Sequence, residues 1–133
     1  MKPTELRIGN YIYSNNFNSI CKIEMFLGLA DVTLINLYGY DEHYKSIDEL
    51  KPIPLTEEWL LRFENVSINI YGEVIVENKN SNGFEIIIFE FKYGNLYYTA
   101  GEGAKLSPPI EFLHQFQNYV YLLSGGYELK LKK

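Results

Sequence analysis

Few residues of this chain could carry acid–base, thiol or metal chemistry. Its 133 residues include two histidines, His43 and His114, and one cysteine, Cys21, which excludes a disulfide framework and a multi-cysteine zinc site. His43 lies in the polar run 41–44, where adjacent side chains do not usually converge on one ion. Glu111 and His114 have the i, i+3 spacing of a carboxylate-bundle metal site, but no second predicted helix repeats it. We therefore predict no metal site and no cofactor.

The sequence also lacks a recognisable nucleophile or phosphate-binding loop. Cys21 lies in a strand-like apolar run, where a small buried residue is expected. Ser124 precedes two glycines at a helix end and lacks the strand-to-helix turn that presents a nucleophilic serine. The segment 101–103 is too short to cradle a phosphate. We predict that the chain has no catalytic residue and is not an enzyme. The alternative is a small enzyme whose site lies between the meander and the last helix and uses His114 beside a carboxylate.

The last predicted helix, 111–123, carries a polar stripe. His114, Gln117, Asn118 and Tyr121 recur at i, i+3, i+4 and i+7, opposite an apolar arc. A solvated face is the simpler interpretation, but glutamine and asparagine are less typical there than lysine and glutamate. A buried polar network or a partner would also explain them. These four residues are the candidate partner-binding residues of the sequence.

The elements that position these residues indicate an α+β fold. Residues 1–52 read as short strands separated by turns, with polar turns at 15–19 and 39–44; one interpretation is a small, curved, SH3-like barrel. Prolines at 52 and 54 impose an extended stretch, and Thr56 is a good N-cap for a short helix that ends near 63 or 64.

An antiparallel β-meander follows, and its longest strand is predicted at 84–93. The first half of that strand is apolar on both faces, which is typical of a central strand covered on both sides. The last helix, closed by Gly125 and Gly126, is expected to pack on the sheet. We predict one compact domain over 1–133, with sub-parts at 1–52 and 53–133.

Composition and charge narrow the class of partner. The chain is 47% hydrophobic, enough for a core, and its net charge of −5 without a basic half makes nucleic-acid binding unlikely. Contact with nucleic acid through the SH3-like part is the weaker alternative. The lysines at 130, 132 and 133 suggest a final edge strand with its charges outward. No apolar run reaches the roughly 18 residues of a membrane span, and no signal peptide opens the sequence, so we expect a cytoplasmic protein without a membrane partner.

Three stretches resemble a known family: ELRIGN at 5–10, PIPLTEEWLL at 52–61 and HQFQN at 114–118. They resemble the signature stretches of a small uncharacterised family found in Bacteroidetes genomes, their prophages and their phages. The sequence departs from that family at Phe116, more often leucine there, and at 124–127, SGGY instead of TGEE. The resemblance implies a mobile-element setting and no activity. We expect an accessory protein that binds a host or phage protein; the aromatic content makes a homodimer plausible.

Overall fold

The structure is a computed structural model, and it describes residues 5–14, 19–28, 31–36, 42–46, 49–80, 83–92, 94–99 and 107–132. The chain divides into two compact units. The first contains residues 1–54 and 112–118, and the second contains residues 55–111 and 119–133. The predicted boundary at 52 therefore lies close to the division at 54, but the beginning of the last helix belongs to the first unit.

A five-stranded antiparallel sheet forms the first unit, in the order β4-β3-β2-β1-β5. Its strands are β1 (Tyr11–Ser14), β2 (Ser19–Leu27), β3 (Asp31–Asn36), β4 (Glu42–Ser46) and β5 (Leu50–Lys51). Side chains alternate along each strand, so every second one points into the core. Ile12 lies opposite Cys21 and Ile23 lies opposite Leu34 on paired strands, and all four are fully buried. The register shifts once in β2, between Ile23 and Met25.

Two predictions for the first unit have different outcomes. The turn predicted at 39–44 is wrong from residue 42 onward, because 42–46 form β4 at the sheet edge, where a polar strand can satisfy its backbone by pairing on one side. Residues 39–41 lie outside the described ranges, as do 15–18 of the other predicted turn. β5 pairs with β1, and no described pairing joins β4 to β5. An SH3-like closure of the sheet stays a prediction.

The second unit begins with the short helix and continues as the predicted meander. α1 (Glu57–Leu61) starts at Thr56, whose hydroxyl accepts a hydrogen bond from the Trp59 amide at 3.2 Å, as the N-cap prediction required. It ends two residues early, because Phe63 leaves the helix to bridge Leu131. The sheet then runs in chain order through β6 (Val66–Ile68), β7 (Glu73–Asn80), β8 (Gly83–Lys92) and β9 (Asn95–Tyr98).

The two faces of this second sheet differ in burial. Val74, Val76, Ile87 and Phe89 are buried on the inner face, where Phe89 packs edge to face on Tyr98 at 5.7 Å between ring centroids. On the outer face Ile86 and Ile88 are 49% and 37% exposed. The prediction that this strand is covered on both sides is therefore wrong for its outer face.

The last helix, α2 (Leu113–Leu123), ends as predicted at the glycine pair. Gly125 adopts φ +73°, and the Gly126 amide donates to the Tyr121 carbonyl at 2.8 Å, which is the six-to-one bond of a Schellman cap. After it, Leu131 makes only an isolated bridge, so the predicted final edge strand does not form over 129–132. The α+β class is confirmed. No helix among the described residues has the length and apolar character needed to cross a membrane.

Candidate functional site

Gln117 fastens α2 to the segment that leads into β1. Its Oε1 accepts a hydrogen bond from the Tyr11 amide at 2.8 Å, and its Nε2 donates to the Gly9 carbonyl at 3.0 Å. The side chain is only 2% exposed. The interpretation of the polar stripe as a solvated face is therefore wrong at Gln117. This side chain lies on the buried face of the helix, together with Leu113 and Val120.

Asn118 extends these contacts into a polar network with the segment 5–10. Its Oδ1 accepts from Asn10 Nδ2 at 2.9 Å and from Arg7 Nε at 3.3 Å, while its Nδ2 donates to the Glu5 carbonyl at 2.9 Å. Asn10 in turn accepts from the Arg7 amide at 2.7 Å. We call Arg7, Asn10, Gln117 and Asn118 the helix-anchor network.

The helix-anchor network joins two of the three stretches that carried the family resemblance, 5–10 and 114–118. The third stretch also reaches this place, since the Ile53 carbonyl accepts from the Leu113 amide at 2.9 Å and Pro54 bridges Phe112. The polar side chains of Asn10, Gln117 and Asn118 thus have a structural explanation, because each forms a hydrogen bond with a backbone group of the segment 5–11.

His114 is buried in the same unit, with 1% of its surface exposed and its ring stacked on Phe112 at 6.0 Å. Neither ring nitrogen has a hydrogen-bond partner within the described part of the chain. Burial lowers the pKa of His114, and the charge of Glu5 offsets that effect only in part. The imidazole is therefore neutral at pH 7. Glu111, which shares its i, i+3 spacing, is exposed.

Three further sequence candidates are Tyr121, Cys21 and His43. Tyr121 is half-buried in the second unit. Cys21 is buried, and burial raises the pKa of its thiol against a smaller opposing effect of Ser19, so the thiol is protonated and weakly nucleophilic at pH 7. The side chain of His43 lies outside the described residues. Within the described ranges, no three histidine, cysteine or acidic side chains are grouped so as to hold a metal ion.

The outer face of the second sheet carries an exposed apolar surface, although the sequence pattern predicted that this face is covered. Ile75 lies directly opposite Ile88 across β7 and β8, and Ile86 is two positions from Ile88 on the same face. Side chains in these positions lie within about 5–8 Å of one another and form one continuous patch. We call Ile75, Ile86 and Ile88 the isoleucine face.

Carboxylates border the isoleucine face on both sides. Glu77 lies opposite Ile86, and at the other end Glu73 lies opposite Glu90. Lys92 lies 3.4 Å from the Glu90 carboxylate, with which it forms an ion pair. The surface therefore has an apolar centre and an acidic rim.

Comparison of the chain with protein-family models, with curated proteins and with solved structures found no match.

Proposed function

We propose that this protein is a non-enzymatic accessory protein that binds another protein through the isoleucine face. The observation that carries the proposal is the exposure of Ile86 and Ile88 on the longest strand of the sheet. The solvated face of an antiparallel sheet is ordinarily polar, whereas three isoleucines meet on this one. Because Ile86 and Ile88 are already about half-buried, covering them completely would contribute about 1 kcal/mol for each side chain.

The partner in this proposal presents an apolar segment flanked by lysine or arginine. Glu73, Glu77 and Glu90 surround the patch, and complementary charge at the rim favours the correct partner and accelerates encounter. A second copy of the chain would bring two acidic rims together, and each copy carries a net charge of −5. The acidic rim disfavours nucleic acid for the same reason.

From the resemblance of the stretches 5–10, 52–61 and 114–118, we propose that this protein belongs to a phage or prophage of a Bacteroidetes bacterium and acts in the host cytoplasm. The assignment of His114, Gln117, Asn118 and Tyr121 as partner-binding residues stays a prediction. The hydrogen bonds of Gln117 and Asn118 are better explained by the helix-anchor network, so the isoleucine face is the preferred site.

A photo-crosslinking amino acid at position 88, in lysate of the natural host, would identify the partner, and binding would then be measured with both proteins purified. The test variant is Ile86→Ser/Ile88→Ser. The matched control is Met25→Ser/Leu27→Ser, because Met25 and Leu27 are apolar and comparably exposed, 52% and 37%, on the other sheet.

We expect the double variant of the isoleucine face to raise the dissociation constant at least about tenfold, the control to leave it unchanged, and added salt to weaken binding. Equal binding by both variants would overturn the proposal. If the chain instead forms a dimer, and the Ile86→Ser/Ile88→Ser variant dissociates it, then the partner of the isoleucine face is a second copy of this chain and not a basic protein.

A further inference from the structure

A cavity of about 420 Å³ opens in the second unit. Asn78 of β7 lines one side, and the turn after α2, together with Tyr127, Glu128 and Lys130, lines the other. This volume lies within the range of small-molecule sites, about 300–1,000 Å³. The cavity includes neither the isoleucine face nor the helix-anchor network.

Hydrogen bonds hold the wall formed by residues 124–130 in place, one within the wall and two to the neighbouring residues 64 and 65. The Tyr127 amide donates to Ser124 Oγ at 2.8 Å, and the Tyr127 hydroxyl accepts from Asn65 Nδ2 at 3.0 Å. The Lys130 carbonyl accepts from the Glu64 amide at 2.7 Å. Gly125 and Gly126 add no side chain, so the cavity stays open beside a preorganised wall.

Asn78 gives the cavity an unused polar group. The residue is fully buried on the inner face of β7, and its Oδ1 has no hydrogen-bond partner among the residues described. Its Nδ2 makes one long contact, 3.4 Å, with Glu85 Oε2. A buried acceptor without a donor is costly, and one that borders a cavity can be satisfied by a ligand that carries an N–H or O–H group.

The charged residues around the cavity specify the class of ligand. Glu128 and Lys130 both line it, whereas Leu129 between them is buried in the protein. The cavity therefore has one negative and one positive side chain at its edge, together with the ring of Tyr127. A small zwitterion complements this arrangement better than a simple anion or cation does.

We propose that this cavity binds a free α-amino acid. The ligand ammonium group lies between the Glu128 carboxylate and Asn78 Oδ1, its carboxylate group meets the Lys130 ammonium, and its side chain packs on the ring of Tyr127. This proposal is independent of protein binding at the isoleucine face.

The test is a titration of the ¹⁵N-labelled protein, followed by NMR, with L-alanine, L-glutamine and L-phenylalanine. N-acetyl-L-alanine amide is the uncharged control ligand. Lys130→Met removes the charge at an exposed position, and Lys132→Met is its matched control outside the cavity. Asn78→Leu removes the orphaned acceptor, and its own spectrum reports whether it folds.

We expect saturable shifts at the amides of Gly125, Gly126 and Tyr127, with a dissociation constant near the millimolar range for at least one amino acid. Lys130→Met should weaken binding about tenfold and Lys132→Met should not change it. An absence of saturable shifts at about 50 mM of all three amino acids would overturn the proposal. An equal response to N-acetyl-L-alanine amide would overturn the zwitterion assignment.

Discussion

Tyr11 and Gln117 are joined by a buried hydrogen bond of 2.8 Å between residues 106 positions apart in the sequence. The Tyr11 amide begins the first strand, and the Gln117 amide group lies in the middle of the last helix. Since the same side chain also binds the Gly9 carbonyl, one residue satisfies two backbone groups that approach the core. At Gln117, the polar stripe of α2 therefore stabilises the fold by satisfying buried backbone groups.

Replacing Gln117 with leucine should destabilise the fold by about 2–4 kcal/mol, because it leaves a buried N–H and a buried C=O without partners. Urea unfolding followed by Trp59 fluorescence would measure the loss. Gln115→Leu is the control; the bond that Gln115 Oε1 accepts from the Phe112 amide is only part-buried, so this change should cost about 1 kcal/mol. Similar losses for the two variants would contradict the role given to Gln117.

His114 should make the fold sensitive to acid. Burial lowers the pKa of His114 in the folded state, so the unfolded chain binds a proton more readily. The stabilising contribution is complete above the unfolded pKa of about 6.5 and is lost as pH falls from there through the lowered folded pKa.

Urea midpoints at a series of pH values from about 7.5 to 5 would show this decline, and His114→Gln should flatten it. His43→Gln is the comparison, because it changes the only other histidine in the sequence. A decline that His43→Gln removes and His114→Gln leaves intact would show that His114 is not the responsible group.

The thiol of Cys21 should be protected from alkylation while the protein is folded. Its burial and its raised pKa both reduce the exposed thiolate, so iodoacetamide at pH 8 should modify the native protein at least about a hundredfold more slowly than N-acetylcysteine. In denaturing urea the two rates should converge. Native-state modification at the rate of the small thiol would mean that the core of the first sheet opens readily.

Neighbouring isoleucines of β8 should differ sharply in their contribution to the stability of the free protein. Ile87→Ala should cost about 2–5 kcal/mol, because Ile87 is buried on the inner face. Ile88→Ala should change the free energy of unfolding by about 1 kcal/mol or less, since Ile88 is partly exposed on the outer face. Chemical denaturation measures both, and a large cost for Ile88→Ala would show that the outer face is covered within the chain.

The same strand shows how far the sequence could predict the structure. The alternation of residues 84–93 correctly indicated a long strand with two apolar faces, because period-two patterning reports which residues share a face. It could not report whether anything covers each face, which depends on distant elements. The solvated-face interpretation of Gln117 was wrong for a related reason. Helical periodicity assigns an amide side chain to the solvent side, and it carries no information about hydrogen-bond partners such as Gly9 and Tyr11 that are remote in sequence.

Cap and turn chemistry was more predictable, since it depends on neighbours in the chain. Thr56 begins α1 and the pair Gly125–Gly126 ends α2, as expected. The polar run around His43 predicted a turn and instead contains an edge strand, because pairing with β3 overrides weak local preference there. The cavity beside Asn78 had no signal in the sequence, as its two sides come from separate segments.

The division of the first unit between residues 1–54 and 112–118 sets an order of events during synthesis. A ribosome releases the segment 5–11 early, but the side chains of Gln117 and Asn118 that bind this segment are made about a hundred residues later. The N-terminal sheet therefore completes its contacts only when the C-terminal helix has left the exit tunnel. Such non-local pairing slows folding, and a nascent chain stalled before residue 112 would carry the Gly9 carbonyl and the Tyr11 amide without their native partners.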